Sequence, residues 1–418
     1  MKNRFRINTA GFIFSIVAIS VFLIASVGMA QTLEAYLEQA AENNPGLKAK
    51  YTEFEMAMQR IPQVSSLPDP SLSFDYFVSP VETRIGPQKA RFSLTQMFPW
   101  FGTLAAQKDA ATLSAEAKYQ AFLDAKNQLF FQVTAAWYPL YELNEMLRLQ
   151  NENYEILTTY KQLATTAFSN AKGSMVDVIR VDILIDNSAT DIALLEEKLK
   201  PLRTAFNKLL NRPDSSLIEV ATALDIGAME AGIEADSLFV ENPMLKSFDL
   251  KINAAEAQER AAFRHGLPKF GVGLSYVFID ERPDVNIVDN GKDAFMPMLS
   301  MTIPLYRKKY RAAVKEAQLQ QMNFTLKKSN LENNLLSAFD MANYKMEQAK
   351  QRHILYGEQI GKTGQAIDLL HSAYSNSGKD FEEVLRMQQQ LLRYEMSQAT
   401  AVKEYYTAEA QRKYITGR

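Results

Sequence analysis

The chain contains the stretch AFSNAKG at residues 167–173, and a close copy of it, AYSNSGK, at residues 373–379. The two stretches are 206 residues apart. Upstream of each, at a slightly shorter spacing, NPGLK at residues 44–48 recurs as NPMLK at residues 242–246. Similarity that keeps its order along a chain predicts structural repeats.

Each repeat has the same predicted layout, which is a helix, a β-hairpin, a long helix, a tip and a returning helix. We assign residues 31–212 to the first repeat and residues 244–418 to the second. Residues 213–243 form the linker between them.

The hairpins are predicted from alternating apolar and polar residues, which are typical of strands with one apolar face. Residues 71–78 and 269–278 alternate in this way. The predicted loops are residues 79–88 and 280–293, and the predicted returning strands are residues 91–98 and 295–303.

The helices are predicted to be unusually long. Residues 306–356 contain no Gly or Pro, and residues 102–166 contain only Pro139 after the initial Gly. A helix of this length extends on the order of 90 Å. Pro139 and Pro201 are expected to kink or split their helices. The fold class is therefore mainly α, with a small β part of four strands per chain.

The composition excludes several classes of protein. Of 418 residues, 47% are apolar, and 46 basic residues nearly balance 48 acidic ones. That balance argues against nucleic acid as a partner and against a disordered acidic tail. The absence of Cys excludes disulfides and thiolate metal sites.

The first 30 residues resemble a signal peptide. Three cations precede an apolar run at residues 11–25, and the small residues Gly28 and Ala30 follow. We expect cleavage before Gln31, the alternative being an uncleaved membrane anchor. After residue 30 no apolar stretch approaches the ~20 residues of a membrane-spanning helix, so membrane insertion would have to use strands.

Four strands cannot close a barrel, and open sheet edges are not tolerated in lipid. Two chains would supply eight strands, whereas three chains would supply twelve and leave room for an aqueous lumen. The long amphipathic helices would continue such a barrel as a coiled-coil cylinder.

The order of these elements, and its duplication, resembles the TolC family of outer-membrane efflux proteins over essentially the whole chain after residue 30. Further family-like stretches are LPDP at residues 67–70, QMFPWFG at residues 96–102 and IPLY at residues 303–306. The resemblance implies a homotrimer with a twelve-stranded transmembrane β-barrel and an α-helical tunnel in the periplasm.

The function that the resemblance implies is a passive exit duct in the bacterial outer membrane, as part of a tripartite efflux or type I secretion system. Its partners would be a periplasmic adaptor protein, an inner-membrane transporter and outer-membrane lipid. One alternative is a periplasmic coiled-coil structural or adaptor protein without a pore. Another is a metal-export duct, because LPDP resembles the heavy-metal branch of the family.

No enzyme, cofactor or metal site is predicted from the sequence. His353 and His371 are 18 residues apart, too far to share a metal on one helix. His265 has no neighbouring ligand at a suitable spacing. The GVG of residues 271–273 lacks the third Gly of a dinucleotide loop, and the Met residues fit ordinary packing.

The tips are the predicted functional site. The resemblance places Tyr374, Lys379 and Glu383 where the family often carries residues that tie neighbouring helices together at a closed periplasmic entrance. Arg386 stands where the family has a further acid. Asp177 and Arg180 are the counterparts of Glu383 and Arg386 in the first repeat.

The resemblance also implies that periplasmic adaptor proteins dock around both tips. The tip residues that we assign to docking are Phe168, Gly173, Ser377 and Gly378.

Overall fold

The computed structural model describes residues 33–220, 224, 226, 238–284, 286–377 and 381–417. The predicted signal peptide, residues 1–30, and much of the predicted linker, residues 213–243, lie outside the described residues.

The described chain consists of long helices and one four-stranded sheet, which confirms the predicted fold class. The helices are α1 (Leu33–Asn43), α2 (Pro45–Ser65), α3 (Thr103–Ser169), α4 (Met175–Leu209), α5 (Pro243–His265), α6 (Lys308–Ser377) and α7 (Phe381–Thr416). The strands are β1 (Ser71–Thr83), β2 (Gly86–Phe98), β3 (Lys269–Ile279) and β4 (Ala294–Thr302).

The repeated Asn-Pro pairs of the sequence start helices α2 and α5. The Asn44 side chain accepts a hydrogen bond from the backbone N–H of Leu47 at 3.0 Å. Asn242 accepts in the same way from Met244 and Leu245. Because an N-cap residue is not itself helical, Asn44 divides what the sequence predicted to be one helix into α1 and α2.

The four strands form one antiparallel sheet in the order β1-β2-β3-β4. One face is apolar and exposed, and it carries Phe74, Phe92 and Tyr276. The opposite face carries small and polar residues, including Ser93 and Ser275, whose hydroxyls are 3.0 Å apart. The sheet therefore has the one-sided apolar pattern that the sequence predicted.

The prediction of a loop at residues 79–88 was wrong. Strands β1 and β2 continue through most of it, with a register shift between Tyr76 and Val81, and the turn is confined to residues 84–85. Gly86, at φ 134°, resumes the ladder, and Thr83 donates to its carbonyl at 2.6 Å. Two-residue turns are common in hairpins, and polar composition alone does not distinguish such a turn from a longer loop.

The prolines do not split the long helices. Pro139 lies inside α3 and Pro201 inside α4. Around Pro139, the side chains of Trp137, Leu140 and Tyr141 are buried. Their burial offsets the ~3 kcal/mol that an internal proline costs.

Within the described part of the chain, no helix combines the length and the apolar character needed to cross a membrane.

The chain divides into two compact units, each of which draws on both halves of the sequence. The first contains the chain up to Asn43, together with Gln132–Ile226 and Arg352–Lys403. The second contains Asn44–Phe131, Gly227–Gln351 and Glu404–Arg418. The first unit holds both tips, and the second holds the sheet. The predicted repeat boundaries follow the sequence rather than these units and stay a prediction.

Candidate functional site

The first tip is a tight turn between α3 and α4. Lys172 donates its backbone N–H to the carbonyl of Ala167 at 2.8 Å, and Ala171 adopts a positive φ of 56°. Gly173 is closely packed, since a Cβ there would lie 3.0 Å from the Ala167 Cβ and would need the neighbouring turn to shift. This tip is therefore a fixed turn.

Helix α4 then begins with a capping box. The Ser174 side chain accepts from the backbone of Val176, and the Asp177 carboxylate accepts from the backbone of Ser174. Such a reciprocal arrangement satisfies backbone donors at the start of the helix. Asp177, predicted as a gate residue, thus also holds the end of its own helix.

The second tip is described only in part. Helix α6 ends at Ser377 and α7 begins at Phe381. Gly378 and Lys379 lie outside the described residues, and the side chain of Ser377 does as well. The predicted roles of these three residues stay predictions.

A buried apolar cluster lies beneath the tips and involves helices α3, α4, α6 and α7. Its members are Leu157, Tyr160, Ala164, Val178, Val181, Phe381, Val384 and Leu385. Tyr374 packs against Phe381, with ring centroids 5.0 Å apart. Tyr160 shares a hydrogen bond of 2.7 Å with His371. Burial and the negative charge of Asp177 raise the pKa of Tyr374.

The charges above this cluster connect the two helical hairpins. Arg180 lies 2.9 Å from the Glu382 carboxylate on α7 and 3.6 Å from Asp177 on its own helix. Glu383 forms an ion pair with Arg386, one turn further along α7. The equivalent positions of the two repeats therefore carry the same pair, an acid followed by an arginine three residues later.

Sequence reasoning missed Glu382, the residue that joins the two hairpins. It also missed an apolar stripe on the first turns of α4, where Met175, Ile179 and Ile183 are about half exposed, as is Phe168 at the end of α3. The stripe had a signal in the sequence, because its residues recur every four positions.

The small residues of β3 make room for side chains from the neighbouring strands. A Cβ on Gly271 would collide with Ser300 and lie 2.6 Å from the sulfur of Met97. A Cβ on Gly273 would lie 3.2 Å from the terminal methyl group of Met298. The GVG stretch at residues 271–273 is thus a packing feature of a strand.

The histidines lie apart from one another along the chain, and His265 and His371 make side-chain hydrogen bonds. His265 lies 2.7 Å from the Gln107 amide nitrogen on α3, and its pKa is lowered by burial and by the charge of Lys269. Among the described residues, no group of three or more His, Cys, Asp or Glu could hold a metal ion.

Comparison with solved structures finds this architecture over nearly the whole chain. The outer-membrane channel OprN matches with a TM-score of 0.75 and 17% sequence identity, over 92% of this chain and 89% of that one. The chain has the fold of outer-membrane channels.

Two further channels match in the same way. The outer-membrane protein VceC of Vibrio cholerae has a TM-score of 0.74 and 14% identity, over 92% of this chain and 96% of its own. The open state of the MtrE channel of Neisseria gonorrhoeae has a TM-score of 0.73 and 16% identity, over 92% and 88%. No family model matches the sequence, and no curated protein matches it.

Proposed function

We propose that the chain is the outer-membrane channel of a tripartite export system and acts as a passive exit duct. The observation that carries this proposal is the four-stranded sheet with one apolar, exposed face, joined to helices of up to 70 residues in the fold of outer-membrane channels.

The sheet supports a homotrimer. Strands β1 and β4 are the edges of the sheet, and unpaired backbone groups are not tolerated in lipid. Three copies would pair each β4 with the β1 of the next copy and close a twelve-stranded barrel. The small and polar face, with Ser93, Thr95 and Ser275, would then line the lumen.

The tips support a periplasmic gate. Arg180 and Tyr374 contact residues of α7 across the tips, and Asp177, Glu383 and Arg386 form ion pairs within the first turns of their own helices. Lys379 completes the gate that we propose. Exposed ion pairs contribute about 1 kcal/mol or less each, so contacts with a partner can replace them. We propose that the adaptor docks at the first tip, at the exposed Phe168 and Gly173, and at the second tip, for which the sequence predicts Ser377 and Gly378.

The energy for export would come from an inner-membrane transporter that the adaptor connects to the tips. A periplasmic coiled-coil protein without a pore remains the alternative function. It does not account for the exposed aromatic side chains on one face of the sheet, such as Phe74 and Tyr76, which a protein surrounded by water would not favour.

Planar-bilayer recording of the purified full chain tests the proposal. We expect outer-membrane fractionation, a trimer that dissociates on heating in detergent, and ion conductance. A monomer that stays in the periplasmic fraction and produces no conductance would support the alternative.

A further inference from the structure

The end of the sheet from which the helices leave carries an exposed aromatic cluster. Trp100 stacks on Phe270 with ring centroids 5.7 Å apart, and Phe101 lies 6.1 Å from Trp100. Phe101 and Tyr306 are 79% and 84% exposed. Aromatic residues in such positions are typical of the boundary between the hydrocarbon and the headgroups of a membrane.

A run of cations follows directly after Tyr306. It consists of Arg307, Lys308, Lys309 and Arg311, all of which are exposed. None of the four forms an ion pair with another residue of the described chain, and the sequence from 294 to 315 contains no acid. Cations at the beginning of a helix oppose its dipole, so this charge does not stabilise α6 itself.

A chain of contacts connects Lys309 to the aromatic cluster. Lys309 lies 4.9 Å from the centre of the Tyr310 ring. Tyr310 packs against Gly266, where an added Cβ would lie 3.2 Å from the Tyr310 Cβ. Two residues before Gly266, Arg264 donates to the carbonyl of Gly102 at 2.6 Å, and Gly102 directly follows Phe101. We call this surface the junction surface.

We infer that the junction surface binds the headgroups of anionic glycerophospholipids in the periplasmic leaflet of the outer membrane, an inference that rests on the proposed function. Phosphate accepts charge-assisted hydrogen bonds from Arg and Lys, and the aromatic rings fit the acyl chains just above the headgroups. Clusters of Lys and Arg next to a membrane are attracted to anionic lipid surfaces. The lipid thus supplies the negative charge that the neighbouring sequence lacks.

Quenching of Trp100 fluorescence by brominated lipid tests this inference. The chain has two Trp, and Trp137→Phe leaves Trp100 as the probe. The full-length trimer is placed in bilayers of phosphatidylglycerol and phosphatidylcholine, with bromine on one lipid or the other at equal mole fraction. We expect brominated phosphatidylglycerol to quench at least about twofold more strongly, and the difference to shrink in high salt.

The variant for this test replaces Arg307, Lys308, Lys309 and Arg311 together by Gln. It should lose the preference for phosphatidylglycerol while Trp100 is still quenched. The matched control replaces four other cations of the same helix by Gln, namely Lys327, Lys345, Lys350 and Arg352, and should keep the preference. Native mass spectrometry of lipid bound to the trimer, with both Trp in place, provides a second measurement.

The outcomes separate this inference from the proposed function. Absence of quenching by either lipid would contradict the membrane channel itself. Equal quenching by both lipids would overturn only the lipid inference. A fourfold variant that dissociates into monomers while keeping its lipid preference would also overturn it, because the cations would then serve contacts between copies of the chain.

Discussion

Arg180 joins the two helical hairpins through its ion pair with Glu382. We expect Arg180→Ala to raise the open probability of the proposed channel in planar bilayers by about threefold to about a hundredfold, because an exposed ion pair contributes about 0.2–1 kcal/mol and the proposed trimer has three of them. The charge swap that combines Arg180→Glu with Glu382→Arg should restore closure in part.

The control for this prediction is Asp182→Asn. It removes the exposed pair of Asp182 with Lys161, 2.5 Å apart, which links α3 to α4 within a single hairpin. An equal effect of Arg180→Ala and Asp182→Asn would show that the tip ion pair has no special role in closure.

Glu395 gives a pH-dependent prediction. Burial, with a smaller contribution from Glu152, raises the pKa of this carboxyl above 4.5. A raised pKa means that the protonated carboxyl favours the folded state, and that this stability is lost as the pH rises through the folded-state pKa. Glu395→Gln should therefore raise the melting temperature at pH 7.

The stabilising effect of Glu395→Gln should disappear well below pH 4.5, where the carboxyl is protonated in both the folded and the unfolded state. Thermal melts of the two proteins at pH 3.5 and pH 7 check this. A stabilisation that is independent of pH would mean that packing, and not ionisation, causes it.

The repeat in the sequence identified Arg180 and Tyr374 as tip residues but could not find Glu382. Alignment of the repeats compares equivalent positions, whereas the ion pair joins Arg180 of the first repeat to a residue that is not its counterpart. Such a contact depends on how each helix is rotated about its own axis relative to its neighbour, and the spacing of residues in the sequence does not predict that rotation.

At the scale of elements, the two Asn-Pro helix starts differ in burial. Asn44 is a partly exposed cap, whereas Asn242 is buried and also donates to the carbonyl of Ile415 at 2.9 Å. Asn44→Ala should cost about 1 kcal/mol of unfolding free energy, and Asn242→Ala about 2–4 kcal/mol, since it also leaves a buried carbonyl without its donor. Chemical denaturation of both variants measures which of them loses more unfolding free energy. Equal costs would contradict this prediction.

Strand β3 provides a second prediction at this scale. Gly271→Ala should lower the thermal stability of the trimer by an amount typical of overpacking, about 1–3 kcal/mol, because the new methyl group meets Met97 and Ser300. The triple variant that adds Met97→Ala and Ser300→Gly to Gly271→Ala should recover part of the loss. If Gly271→Ala alone had wild-type stability, the strands would have readjusted to accept the added methyl group.

The strands show how far alternation can predict a fold. The faces of β1 and β3 were predicted because every second residue is apolar. The length of the first hairpin was not predicted. Residues 79–88 include polar residues and two prolines, and their pairing depends on a register shift that the composition does not reveal.

At the scale of the whole molecule, the proposed function fixes the orientation of the chain. The β3–β4 loop should face the outside of the cell and the tips the periplasm. Because the chain has no Cys, Val288→Cys, 85% exposed in that loop, and Phe168→Cys at the first tip give clean reporters.

A membrane-impermeant thiol reagent on intact cells should label Val288→Cys and not Phe168→Cys. After the outer membrane is permeabilised, both should react. Labelling of Phe168→Cys alone on intact cells would reverse the proposed orientation.

If the proposed function holds, the two free edges of the sheet also govern how the channel is assembled. In the proposed trimer, a newly exported subunit with open β1 and β4 edges has no stable place in lipid, so insertion would have to wait for two more subunits. Because three molecules must meet, the rate of channel formation should rise far more steeply than the rate of synthesis. A cell that makes little of the protein would then have almost no channels, whereas a modest increase in synthesis would give many. The open sheet edges would thus set a threshold concentration of subunits below which few channels form.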